Sequence, residues 1–246
     1  SNDNWYEQWF SVLNQILIST NPFGTPLLDY TIDNIDYQQY RIDNISLVGG
    51  TVPFTATVNS TTYNFDLCNL TLDETYGVYE DTPTASENFN IVYLNDGNGY
   101  DSSETGFFML MKQGNLQNQT FVISDIIENR TTYVNVPNIN ETDVWLQSIN
   151  TNGTVKTDWT KIGYTPNSDP AQYIGTQNVT YNNVDQSIKS VYQVVTEPND
   201  QIMLRFGDGN FGTIPYGTMR VWYRTGSNDG VVIKTSDMVN VSSSMY

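Results

Sequence analysis

Short runs of β-forming residues, separated by turn residues, fill the chain between residues 30 and 241 and constrain its fold more than any other feature. Runs of about four to eight residues rich in Val, Ile, Thr, Tyr and Phe are typical of β-strands. Pairs such as Asp96-Gly97 and Asp208-Gly209 tolerate the positive φ that tight hairpins require. The pattern predicts a mainly β fold of antiparallel sheets, sandwich-like or irregular, instead of alternating strands and helices.

The first 22 residues differ from the rest, because their apolar residues recur at spacings of three and four. This spacing predicts one amphipathic helix over residues 3–18, which Asn21-Pro22 ends. The apolar positions are Trp5, Trp9, Val12, Leu13 and Ile16. The stripe fits a helix packed on the chain's own sheet as well as a helix that docks on a partner. The two tryptophans favour docking, and these five residues are the candidate interface.

Two stretches are candidate boundaries within the β region. Residues 73–88 are acidic and predict a surface loop or linker, and residues 164–170 contain two Xaa-Pro pairs. The boundaries predict an N-terminal helix over residues 1–22 and β domains over residues 30–164 and 171–241. A single β domain is the alternative.

Composition limits the chemistry that the chain can perform. It contains no His and one cysteine, Cys68, so an intrachain disulfide, a redox pair and every His-dependent triad are excluded. Cys68 is expected as a small buried residue in a strand. With 10 Lys and Arg against 27 Asp and Glu, the net charge is −17, which repels phosphate backbones and anionic lipid headgroups. Nucleic acid and membranes are therefore not expected as partners.

One segment has the alternating oxygen ligands of a calcium loop, at Asp96, Asn98 and Asp101. Phe107 stands where such a loop needs a bidentate Glu, so a polar turn is the favoured interpretation and no metal or cofactor is expected. Three aromatic residues, Trp145, Trp222 and Tyr223, lie within strand patterns and are expected in the core or in cross-strand pairs. Trp159 lies near a turn and is the candidate for an exposed, ligand-stacking ring.

The most distinctive segment runs from residue 205 to residue 226 and begins Arg205-Phe206-Gly207-Asp208-Gly209. It predicts a strand, a tight glycine turn, a short strand, a Pro-Tyr-Gly turn and a long strand that carries Arg220, Trp222 and Arg224 on one face. A strand follows the glycines where a phosphate-binding loop needs a helix, which excludes phosphate binding. The expected turn residues are Gly207, Asp208, Gly209, Gly212, Pro215 and Gly217.

This segment resembles the Phe-Gly-Asp-Gly segment of baseplate J-like and baseplate wedge proteins of contractile-tailed, T-even-type bacteriophages. Residues 49–54, 105–114 and 138–146 resemble further segments of the wedge proteins, in the same order. The resemblance implies a structural protein of the virion's tail baseplate, assembled in the host cytoplasm. It implies contacts with copies of itself and with other wedge proteins, and no catalytic residues.

Two other functions fit parts of the sequence. Aromatic and Asn-rich loops on an acidic β scaffold suit a receptor- or glycan-binding tail module. A glycoside hydrolase needs two carboxylates held a few ångströms apart, and no spacing among the 27 acidic residues points to such a pair. The chain is therefore not expected to be an enzyme.

Replacing Trp5 and Trp9 together with Ala is expected to abolish assembly and to leave the β fold intact, because interface energy concentrates in buried aromatic residues. Co-sedimentation with the assembly measures the first effect, and circular dichroism measures the second. Unfolding of the double variant would mean that the helix belongs to the chain's own core.

Overall fold

The computed structural model describes residues 28–42, 47–58, 60–73, 75, 77–84, 89–94, 107–162, 189–209 and 212–226. The expected N-terminal helix lies outside these residues. Within them the chain is mainly β, as predicted, and the helical structure is one 3₁₀ turn, Pro198–Asp200. No helix in these ranges is long and apolar enough to cross a membrane. The strands are β1 (Leu28–Ile32), β2 (Ile35–Ile42), β3 (Val52–Val58), β4 (Thr61–Cys68), β5 (Leu70–Asp73), β6 (Gly77–Glu80), β7 (Phe89–Leu94), β8 (Phe107–Phe108), β9 (Leu110–Gln113), β10 (Asn115–Ile123), β11 (Thr131–Val134), β12 (Ile139–Ile149), β13 (Val155–Ile162), β14 (Val191–Glu197), β15 (Gln201–Phe206) and β16 (Gly217–Thr225).

The first nine strands form three small antiparallel sheets, ordered β1-β2-β7-β8, β3-β4-β9 and β5-β6. Strand β7 lies between two apolar clusters. Phe89 and Ile91 pack with Val52 and Leu67 of the β3-β4 pair. Val92, which points to the opposite face of the strand, packs with Leu70 and Leu72 of β5. These cores are small.

The other seven strands form one sheet, ordered β10-β16-β12-β13-β14-β15-β11. All of its described pairs are antiparallel except the parallel pair β13-β14. All seven strands contribute to one buried cluster that includes Leu146, Phe206 and Val221. Strands β10 and β11 lie at opposite edges, yet residues 124–130 connect them, so the sheet must curl around that cluster. The sheet takes strands from both predicted β domains and so joins residues 30–164 to residues 171–241.

The two faces of β16, which lies between β10 and β12, have different roles. Met219, Val221 and Tyr223 point into the core cluster. Arg220, Trp222 and Arg224 alternate with them on the outer face, as the sequence predicts. Two of the small sheets, β3-β4-β9 and β5-β6, contact this outer face, and that contact defines the site described next.

The acidic stretch at residues 73–88 was expected to be a surface loop or linker, and the structure corrects this for part of it. Residues 77–80 form strand β6, and Pro83 is buried against the large sheet. The Pro83 carbonyl accepts a hydrogen bond of 3.0 Å from the side chain of Gln147 in β12. Acidic composition did not predict this burial because it does not show that Glu80 pairs with Arg224 and Lys112.

Candidate functional site

The most unusual side chain in the described residues is Arg224, which is 1% exposed in the middle of the protein. It lies near the end of β16, on the outer face. Trp145 lies on the same face in the adjacent strand β12, and its ring centroid is 5.9 Å from the guanidinium carbon. An arginine is almost never fully buried unless its charge is paired, so its partners define the site.

Three carboxylates from three different sheets surround the guanidinium group. Arg224 Nη1 lies 2.7 Å from Asp143 Oδ2 in β12 of the same sheet. Its Nε lies 3.0 Å from Asp66 Oδ2 in β4, and its Nη2 lies 3.2 Å from Glu80 Oε1 in β6. One side chain therefore ties two of the small sheets to the large one.

Lys112 of β9 is the second cation of the cluster. Its Nζ lies 2.7 Å from Asp143 Oδ1 and also pairs with Glu80. Two cations therefore face three carboxylates, and Asp143 and Glu80 each bridge both cations. We refer to Asp66, Glu80, Lys112, Asp143 and Arg224 as the charge cluster.

Burial and ion pairing shift the pKa values of the carboxyl groups in opposite directions. Burial alone raises a carboxyl pKa, but hydrogen bonds and charge from Lys112 and Arg224 outweigh it and lower the pKa of Asp143. At Asp66 burial is the larger effect and the pKa is raised, although Arg224 opposes it. The Cys68 thiol, 3.7 Å from Arg224 Nη2, has its pKa raised to about 12 by burial and by Glu80. The thiol therefore stays protonated and unreactive.

Two glycines permit the close approach of the sheets at this point. A Cβ on Gly114, which has φ +132°, would lie 2.8 Å from Arg224 Cγ and 2.7 Å from the Thr225 carbonyl oxygen. A Cβ on Gly49, which has φ +60°, would lie 2.9 Å from Trp222 Cζ3. Any larger residue would separate the small sheets from β16.

The side chain of Gln147 forms a second tie beside the charge cluster. It accepts a hydrogen bond of 2.9 Å from the Trp222 indole and donates one of 2.8 Å to Asp158. Its amide group also donates a hydrogen bond to the Pro83 carbonyl. The outer face of β16 thus contacts the small sheets through two adjoining polar networks.

The arrangement is suited to joining sheets and is poorly suited to catalysis. Asp66 and Asp143 are 1% and 2% exposed, so a solute has no path to their carboxylates. Four of the five N–H donors of Arg224 are bonded to protein groups. Within the described ranges no group of three His, Cys, Asp or Glu side chains is placed to hold a metal ion.

The Phe-Gly-Asp-Gly segment links β15 to β16 at the far end of the same sheet. The Gly209 amide donates to the Gly212 carbonyl at 2.8 Å, and the Gly207 carbonyl accepts from the Asn129 amide at 3.1 Å. A Cβ on Gly207 would lie 2.6 Å from the Gly212 Cα, so the two backbones are in contact. Gly217, with φ +95°, then starts β16. Residues 212–216 form no strand, so the expected short strand is absent from them.

The other expected turn residues lie beside this contact. Pro215 is buried, and Asp208 is partly exposed. The candidate interface residues of the N-terminal helix lie outside the described residues, as do Asp96, Asn98 and Asp101 of the candidate calcium loop.

The expectation that Trp159 is exposed was wrong. Trp159 is 8% exposed and packs edge-on against Phe206, with ring centroids 5.5 Å apart. Its indole donates to the Ser148 hydroxyl at 3.2 Å. Proximity to a turn did not predict exposure because Trp159 of β13 lies opposite Leu146 of β12, on the face of the sheet that points into the core. Trp222, Tyr223 and Cys68 are buried as predicted, and Trp145 is partly buried opposite Trp222.

Sequence reasoning did not find the charge cluster. Asp143 directly precedes the core residue Val144, and Asp66 directly precedes the buried Leu67. A charged residue at a buried strand position was the available signal, since it requires a partner of opposite charge. The identity of each partner was not readable, because 158 residues separate Asp66 from Arg224.

Replacing Arg224 with Met is expected to lower the free energy of unfolding by about 3–5 kcal/mol, because it leaves buried carboxylates without their cation. Arg220→Met is the matched control on the same strand and face. Arg220 makes one hydrogen bond to the Gly153 carbonyl and lies over the Trp222 ring, so its loss should cost only about 1 kcal/mol. Urea unfolding measures both, and equal losses would contradict the role given to Arg224.

Comparison with known proteins places the chain in a family without assigning it an activity. No curated protein and no solved structure matches it. The model of a domain of unknown function, DUF8360, matches residues 1–246, which is the whole sequence given. The chain therefore belongs to the DUF8360 family.

Proposed function

We propose that this chain is a non-enzymatic structural component of a bacteriophage tail baseplate, similar to a wedge protein. It would be assembled in the host cytoplasm into the virion and would act through contacts with copies of itself and with other wedge proteins. The proposal begins from the resemblance of four segments to wedge proteins, at residues 49–54, 105–114, 138–146 and 205–226.

The observation that carries the proposal is that residues from all four segments meet at one place in the fold. Gly49 lies against Trp222, and Gly114 lies against Arg224. Asp143 pairs with both Lys112 and Arg224. Segments that resembled the family by chance would have no reason to converge. Their meeting supports a shared structural core.

The roles of these residues favour a structural function. Gly207 and Gly212 bring two backbone segments into contact, and the charge cluster joins three sheets. Arg224, Asp66 and Asp143 are at most 2% exposed and are paired with one another, which is typical of groups that stabilise a fold. A baseplate component has to keep its shape while its neighbours move, and buried charge pairs specify one arrangement of sheets more strictly than apolar contacts do.

The alternative function, a receptor- or glycan-binding tail module, has less support. Its candidate sugar-stacking residue was Trp159, and that ring lies in the core. Among the described residues Tyr216 and Tyr133 are the most exposed aromatic rings, at 64% and 57%, and this alternative would have to rest on them.

Antibodies raised against the chain are expected to label the baseplate end of the tail in electron micrographs of the purified source particles. A preimmune serum is the control for non-specific attachment. Labelling confined to fibre tips would favour the binding-module alternative, and particles without any label would contradict a virion role.

A further inference from the structure

Strand β10 is an open edge of the large sheet. Over its nine residues it pairs in continuous register with β16, from Asn115 opposite Thr225 to Ile123 opposite Gly217. In the described part of the chain β10 has no strand on its other side. The side chains of residues 117–120 are exposed, and among the described residues no strand covers the middle of this edge.

Proteins normally protect such an edge against pairing with another chain. The usual devices are a charged residue, a proline, a bulge or a very short strand. Strand β10 has none of them: its sequence is Asn-Leu-Gln-Asn-Gln-Thr-Phe-Val-Ile, and its register with β16 shows no shift. Long unprotected edges are where partner strands add to a sheet.

The hydrogen-bonding groups of the open edge can be assigned to individual residues. The Leu116 amide donates to Asp66 Oδ2 at 2.9 Å, so it points away from β16 and is already occupied. Because backbone groups alternate along an antiparallel strand, those of Asn118, Thr120 and Val122 also point away from β16. Three successive outward-facing residues, centred on Thr120, are thus available to a partner strand.

The lack of charge on β10 permits pairing with a second copy. The chain carries a net charge of −17, so two copies repel each other wherever acidic surfaces meet. Strand β10 has no charged residue, so two copies can pair along it without placing like charges opposite each other. The edge is also symmetric about Thr120, so an antiparallel copy would place Asn118 opposite Val122 of the partner subunit.

Exposed apolar side chains continue the edge at its far end. Val122 is 70% exposed and lies opposite Thr218, and Tyr216, two residues before Thr218, is 64% exposed. Ile126, just beyond β10, is 72% exposed. A strand added along β10 would remove part of this apolar surface from water, which favours association.

We propose that β10 pairs antiparallel with β10 of a second copy, about a two-fold axis at Thr120, and so joins two large sheets into one. The interface is isologous, as a two-fold contact requires. This inference rests on the proposed function for its biological setting, because it names the surface through which copies of the chain would assemble.

Sedimentation velocity of the whole chain, over about a hundredfold range of concentration, tests the proposal. The unaltered chain is expected to show a concentration-dependent dimer. Thr120→Lys and Thr120→Glu each place like charges opposite each other across the axis and should weaken the dimer by up to about fivefold. An equimolar mixture of the two variants should restore it, because opposite charges then meet. Thr131→Lys, an exposed position on the opposite edge strand β11, should leave the dimer unchanged.

Three results would overturn the inference: a monomer at every concentration, a dimer that the Thr120 substitutions leave intact, or single variants that dissociate without recovery on mixing. These results are independent of antibody labelling. A labelled baseplate with a monomeric chain would refute the β10 interface alone, and a β10 dimer without label would refute the proposed function alone.

Discussion

The buried guanidinium of Arg224 is the interaction on which the arrangement of the sheets depends. It carries one charge into a region that water does not reach, and it is compensated by carboxylates from three sheets. Charge in such a place is tolerated only with close partners, so the positions of β4, β6 and β12 relative to β16 are tightly constrained. The glycines at positions 49 and 114 allow the approach that this pairing needs.

The charge cluster helps to hold the small sheets on the large sheet, because the small sheets bury little apolar surface. Among the described residues, their two core clusters hold four and three buried residues, whereas the cluster of the large sheet holds fourteen. Apolar contact alone would leave the register of the small sheets on the large one weakly specified. Pairs of opposite charge with fixed geometry are satisfied in one arrangement, which is how buried ionic groups add specificity even when they add little net stability.

Local patterns in the sequence predicted the local structure and one side of the site. Alternation along β16 placed Arg220, Trp222 and Arg224 on one face, and the glycines of the Phe-Gly-Asp-Gly segment predicted the turn before it. Whether Trp159 is buried depends on which face of β13 it lies on, and a short run of residues near a turn does not determine that face. The remaining members of the charge cluster lie on separate strands far apart in the sequence, and periodicity carries no information about which charged residues meet.

Native-state hydrogen exchange of the Arg224→Met variant tests most directly whether this side chain holds the small sheets on the large one. The charge cluster predicts that amides of β4 and β7 lose much of their protection, while amides of β14 and β15 in the large sheet keep most of theirs. Equal loss of protection in all four strands, or no loss in β4 and β7, would contradict the account.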